Sequence, residues 1–151
     1  MIQELTTPMV GYRFAALITS AAIPNPIDIF FKEISGLKVS RSIDYEGNRV
    51  SIKNERQTRT LTFKRGVLRT GSTLEITNFI SLPQWNQFAV RNDILITLLN
   101  DNNLPTKAWL VTRAFMESWE WDSLDATRND VLIESISFSY QSLVTVPIPF
   151  T

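Results

Sequence analysis

"VLIESISFSYQSLVTV", Val131 to Val146, alternates in a way that an amphipathic helix does not. Ser135, Ser137, Ser139 and Gln141 fall on one side, and Ile136, Phe138 and Tyr140 on the other. A period of two is the signature of a strand whose faces meet different surroundings. Small hydroxyls opposite large apolar groups describe a sheet with one packed face and one wet face, as antiparallel sheets commonly have.

The same alternation recurs upstream. In "TRTLTFKRG", Leu61 and Phe63 oppose Thr60, Thr62 and Lys64, and Gly66 ends the segment. From Lys38 the face Lys38, Ser40, Ser42, Asp44 alternates with Val39, Arg41, Ile43, Tyr45. Residues 12–21 read as a first strand, followed by a loop, "IPNPID", in which Pro24 and Pro26 discourage pairing. Gly36 in "SGL" marks a bulge or bend. "DILITLLNDNNLPTKAWLVTRAFMESWEW" predicts two strands joined at "NDNNLP", because Asn and Asp tolerate turn backbones. One helix is predicted over about 72–82. Ser72 or Thr73 caps it, Glu75 sits in its first turn, and Leu74, Phe79 and Leu82 face the core. The sum is a mostly antiparallel β domain with one flanking helix. At 151 residues it is read as one domain, 1–151.

Composition narrows the function. Lys and Arg number 15, as do Asp and Glu, so the formal net charge is zero and no global field selects nucleic acid or anionic lipid. The chain has no Cys and no His. Disulfides, thiolate or imidazole metal sites, Cys nucleophiles and Ser–His dyads are therefore excluded. No run is long enough for a membrane helix. "RFAALITSAAIPNP" imitates a signal peptide, but Glu4 lies upstream and Tyr12, Phe14, Ala16 and Ile18 fit a strand.

Each candidate for chemistry has a plainer reading. Asp122, Asp125 and Asp130 lack the ligand order of a calcium loop and read as capping residues in the connector "DSLDATRND". Glu117 and Glu120 have no fixed separation that would make them an acid/base pair. Lys53, Arg56, Arg59, Lys64, Arg65 and Arg69 form a basic cluster, but no aromatics interleave with it. Strand Lys and Arg commonly face solvent, guard edges or pair with neighbours such as Glu55. Trp85, Trp109, Trp119 and Trp121 read as core or interface anchors rather than a ligand pocket. The expectation is a protein that is no enzyme, has no cofactor and does not recognise nucleic-acid sequence.

In order and spacing, "GYRFAALI", "FFKEISGLKVSRSIDYEGN", "LTFKRGV", the 93–121 hairpin and "SLDATRNDVLIESISFSYQSL" resemble the tail-tube family of contractile injection machines. That family includes the tubes of contractile phages and phage-tail-like particles, with haemolysin-coregulated tube proteins as distant relatives. The resemblance implies an antiparallel β-sandwich or barrel with a flanking helix, assembling into hexameric rings that stack around a channel for protein or DNA cargo. It implies sheath, baseplate or tube-initiator and tape-measure proteins as partners. Synthesis would be cytoplasmic, without a signal peptide or membrane insertion.

The resemblance also makes residues 45–58 an inter-subunit arm. Tyr45, Glu46, Asn48, Arg49, Lys53, Glu55 and Arg56 would contact adjacent copies, with the charged members pairing across the interface. Lys38, Ser40, Ser42, Asp44, Thr60, Thr62, Lys64, Ser135, Ser137 and Ser139 would face the lumen. A proline-bearing insert, "AAIPNPIDIFF", departs from the commonest pattern. A tube-initiating ring is therefore an alternative within the family, and a small-ligand β-barrel an alternative outside it.

Overall fold

The computed structural model describes residues 13–25, 30–53, 57–68, 72–127 and 131–148. Ten strands carry nearly all of the regular structure. They are β1 (Arg13–Ser20), β2 (Ile23–Pro24), β3 (Glu33–Ser35), β4 (Ile43–Glu46), β5 (Arg49–Ile52), β6 (Arg59–Gly66), β7 (Arg91–Leu99), β8 (Pro105–Trp121), β9 (Ile133–Tyr140) and β10 (Ser142–Val146). A short helix, α1 (Thr73–Thr77), and a 3₁₀ turn (Pro83–Asn86) lie between β6 and β7. Eight strands pair in the order β2-β1-β7-β8-β9-β6-β3, with β10 on β8, and every pairing is antiparallel. The remaining two, β4 and β5, form a sheet of their own.

The long strand β8 organises the sheet. Its first part pairs with β7 through Phe115, and its second part continues alone to Trp121 against β9. Both β9 and β10 run along its other edge, interrupted only at Gln141. Besides a register shift at Leu98/Leu99 near its start, two irregularities interrupt it. The register with β7 shifts between Asn92 and Ile94, where Arg113 adopts φ 55°, and the register with β9 shifts between Met116 and Ser118. Asp93 holds the first bend: its Oδ1 accepts from the Arg113 backbone N–H at 3.1 Å and from Arg91 Nε at 3.2 Å. The sheet curls far enough for Phe30, just before β3, to bridge Ala15 on β1.

The inward residues follow period two. Ala16 and Ile18, Leu61 and Phe63, Ile94 and Ile96, and Ile136, Phe138 and Tyr140 are all buried in one core, joined by Leu74 of α1. Phe63 packs on Phe31 and Phe138 at centroid distances of 4.8 and 5.6 Å. The Tyr140 hydroxyl donates to the Gly36 carbonyl at 2.5 Å and accepts from the Lys38 N–H at 3.3 Å, so its polar end is satisfied where the apolar core stops. Gly36 is required there. Its φ is +99°, and an added Cβ would lie 2.1 Å from the Thr60 carbonyl oxygen.

The helix is shorter than the predicted 72–82. Two side chains end it from within: Thr77 Oγ1 donates to the Thr73 carbonyl at 3.0 Å, and Asn78 Nδ2 to the Leu74 carbonyl at 3.2 Å. Phe79 then takes φ 57°, outside any helix. Such local bonding is why Thr and Asn favour helix ends. Of the three predicted core-facing residues, Leu74 is buried, Phe79 half-buried and Leu82 exposed.

Other expectations differ in detail. Residues 36–42 form no regular strand, so the predicted strand from Lys38 begins at Ile43. Pro24 pairs briefly with Thr19, which Pro tolerates on the two-residue edge strand β2. The "NDNNLP" turn forms where predicted. Asn100 Oδ1 accepts from the Asn102 and Leu104 N–H groups at 2.9 and 3.0 Å.

Candidate functional site

With one face of each strand in the core, the opposite face is fixed by register. Across β3, β6, β9 and β8 it is polar in two complete rows. Glu33, Lys64, Ser135 and Glu120 stand opposite one another in sequence, and Ser35, Thr62, Ser137 and Ser118 do the same. Thr60 pairs with Ser139 in a third row that ends at Phe115. Thr62 Oγ1 and Ser137 Oγ share a hydrogen bond at 3.2 Å, and Lys64 Nζ reaches Glu33 at 3.8 Å. The face therefore consists of hydroxyls with one Lys64–Glu33 ion pair and the exposed carboxylate of Glu120. Thr60, Thr62, Lys64, Ser135, Ser137 and Ser139 are brought together on it, flanked by Glu33, Ser35, Ser118 and Glu120, which the sequence reading had not grouped with them.

Elsewhere the outer face changes character. Leu17, Leu95, Leu110 and Val144 lie opposite one another across β1, β7, β8 and β10. One curled sheet thus presents polar rows on one side and an apolar row on the other. Among the described residues the interior is filled by Phe63, Phe138 and Tyr140, where a ligand barrel would hold an open apolar chamber.

Lys38, Ser40, Ser42 and Asp44 lie outside that sheet, on the run leading to the β4–β5 hairpin. Arg59 donates to the Ser40 hydroxyl at 2.7 Å and to its carbonyl, and Gln57 Nε2 donates to Ser42 Oγ at 2.8 Å. The Lys53 N–H reaches the Ser42 carbonyl at 2.9 Å. Side chains thus keep the two runs adjacent where the regular ladder lapses.

The predicted arm is a tight hairpin. Ile43 pairs with Ile52, Asp44 with Ser51, Tyr45 with Val50 and Glu46 with Arg49. Gly47 takes φ +61° at the first central position, as type II′ turns require. Lys53 Nζ approaches Asp44 at 3.6 Å on the polar face of the hairpin. Asn48 occupies the turn, while Glu55 and Arg56 lie outside the described residues.

Among the described residues the basic cluster is dispersed. Arg59 is tied to Ser40, Lys64 to Glu33 and Lys53 to Asp44, while Arg56 and Arg69 lie outside the described residues. Arg65 is buried. Its Nε donates to Glu134 Oε1 at 2.8 Å, and its guanidinium lies 5.3 and 5.6 Å from the Phe31 and Trp119 rings. Trp119 Nε1 donates to the second Glu134 oxygen at 2.8 Å, so the carboxylate is held on both sides. Sequence reasoning placed Arg65 on the surface, yet the signal was present: Arg65 continues the inward series Leu61, Phe63, and Glu134 the series Ile136, Phe138.

The remaining chemical candidates are dispersed. Glu117 sits at the β8 bulge and is exposed, whereas Glu120 is on the polar face. Asp125 accepts from the Thr127 hydroxyl at 2.6 Å and N–H at 3.0 Å, which holds its carboxyl below the usual range. Asp130 lies outside the described residues, and among those described no three acidic, His or Cys side chains group for a metal. Trp85, Trp109 and Trp119 pack against the core, and Trp121 is exposed beside Trp119.

Comparison with solved structures agrees with this architecture. A chain in the cryo-EM structure of an extracellular contractile injection system, the PVC sheath–tube complex in its extended state, is 25% identical. It covers 97% of each chain at a TM-score of 0.72. A chain in the sixfold-symmetrised baseplate of the anti-feeding prophage is 27% identical over 93% of this chain and 97% of that one, at a TM-score of 0.67. Hcp1 from Flavobacterium johnsoniae shares the fold, with 16% identity over 87% and 94% at a TM-score of 0.51. No curated protein sequence matches the chain. Residues 11–144 match the family model of the T4-like virus tail tube protein gp19, and the chain belongs to that tail tube family.

Proposed function

We propose that the chain is the repeating inner-tube subunit of a contractile injection particle. Six copies close into a ring, and rings stack around a channel through which protein or DNA cargo passes. The polar half of the sheet carries this reading. A channel wall must stay wet and release whatever touches it, and rows of Ser and Thr with few charges hold water without binding one cargo tightly. Ser135, Ser137, Ser139, Thr60, Thr62 and Lys64 line the lumen. Lys38, Ser40, Ser42 and Asp44 extend it toward the hairpin.

In each copy the sheet closes as a barrel near the Ala15–Phe30 bridge, and the hairpin reaches adjacent copies. The protein works by assembly rather than catalysis and needs no cofactor. Its partners are sheath, baseplate and tape-measure proteins, and it is made in the cytoplasm.

Replacing Ser135 and Ser137 together by Trp tests the lumen assignment. Rings should still form, with a channel visibly narrowed in averaged electron micrographs. Loss of ring formation would make the face an interface, and an unchanged channel would place it on the outer wall. The likeness to a chain in a baseplate structure favours a second reading, a tube-initiating ring. A repeating subunit polymerises into long stacks on its own, whereas an initiator stops at one ring.

A further inference from the structure

The alternation that shapes β6 and β9 leaves their pairing ambiguous by two residues. "TLTFK" and "SISFSY" each carry small hydroxyls or Lys on the outward positions and large apolar groups on the inward ones. A one-residue slip turns every side chain to the wrong face, so the pattern excludes it. A two-residue slip passes unnoticed. Sliding β9 one way sets Phe63 opposite Phe138 and Thr62 opposite Ser139. Sliding it the other way sets Leu61 opposite Ile136 and Thr62 opposite Ser135. Either way the core stays apolar and the outer face stays hydroxylated. The observed register instead pairs Phe63 with Ile136 and Thr62 with Ser137.

We propose that Arg65 and Glu134 are positioning residues that select this register, and with it the order of the hydroxyl rows. Among the described residues they are the two buried charges. They stand opposite each other on β6 and β9, with Arg65 Nε donating to Glu134 Oε1 at 2.8 Å. From the other side of β9, Trp119 of β8 donates to Glu134 Oε2 at 2.8 Å, so both neighbouring strands hold one carboxylate. The first slip would set Arg65 against Ile136, and the second would set Glu134 against Phe63. Each strands a buried charge, which is strongly destabilising, whereas the native register matches both. Apolar side chains trading places in the core discriminate less, because cores tolerate hydrophobic exchange. Tyr140 favours the same register through its bonds to Gly36 and Lys38, but a neutral hydrogen bond contributes less than a stranded buried charge costs. The pair has this role whatever the polar face lines.

The chain has no cysteine of its own, so engineered pairs report register directly. In dilute full-length protein, Thr62→Cys with Ser137→Cys should oxidise readily. Thr62→Cys with Ser139→Cys, or with Ser135→Cys, lies on a diagonal too long for an unstrained disulfide and should oxidise about tenfold more slowly or less. Adding Arg65→Met with Glu134→Leu should leave the chain folded by circular dichroism and speed the diagonal pairs by about tenfold or more. Glu134→Gln, which keeps the shape and removes the charge, should move them in the same direction. Diagonal pairs that stay slow in both backgrounds overturn the proposal. Loss of folding in both also overturns it, since the pair would then serve stability alone. Glu134→Leu with Ile136→Glu tests the converse, because it sets a carboxylate opposite Arg65 only after the first slip. The Thr62→Cys/Ser139→Cys pair should then become the faster one, and a folded chain that still favours Thr62→Cys/Ser137→Cys overturns the proposal.

Discussion

Arg65 and Glu134 show how one residue pair ties the polar half of the sheet to its core. Both side chains are about 4% exposed, and the pair is completed by the indole N–H of Trp119. Removing one member of a buried pair strands the other. Arg65→Met should therefore cost about 3–5 kcal/mol in urea unfolding, whereas Arg65→Met with Glu134→Leu should recover much of that loss. Gly36 makes a comparable demand through backbone shape. Gly36→Ala drives a Cβ into the Thr60 carbonyl at a φ that L-residues rarely adopt, so the melting temperature should fall by several degrees and β3–β6 amides should exchange faster. The glycine's role as a bend was legible in "SGL". The buried arginine was legible only in part: alternation carries it inward after Leu61 and Phe63, but composition argues against burying charge, and the register alone shows that Glu134 stands opposite it.

Among the elements, the strands were the most legible and the helix the least. Period two in "TLTFK" and "ESISFSY" specifies which side chains are buried, and their register then brings the two hydroxyl stripes together. Helix length depends instead on side chains that bond to the backbone, as Thr77 and Asn78 do, and on tertiary partners that no local pattern contains. Asn78 and Asn92 exchange side-chain hydrogen bonds at 2.9 and 3.2 Å, and Asn78 Nδ2 also reaches Ser20 Oγ at 3.3 Å, tying the end of α1 to β1 and β7. Asn92→Ala leaves those buried groups short of partners and should cost about 1–3 kcal/mol, measurable by thermal unfolding. The arm was read from the sequence as an inter-subunit segment, and the structure pairs Ile43–Glu46 with Arg49–Ile52 as a hairpin. Its polar letters draw attention, while the apolar face emerges only once Tyr45 and Val50 are paired.

At the scale of the whole molecule, one curled sheet separates three surfaces by chemistry: a hydrated polar face, an apolar face and a projecting hairpin with an apolar side. A chain built to act alone would have little use for the last two, because exposed apolar surface favours association. The sequence made the polar face visible through alternation, whereas the apolar row across β1, β7, β8 and β10 needs four registers to assemble and stayed hidden. The proposed tube assembly would account for the division, because neighbouring copies would cover the apolar surfaces. The most direct test is to concentrate the purified full chain and follow it by light scattering and negative-stain electron microscopy. The account predicts sixfold rings that stack into tubes as concentration rises. A strictly monomeric particle at high concentration, even with baseplate and tape-measure partners added, would contradict it.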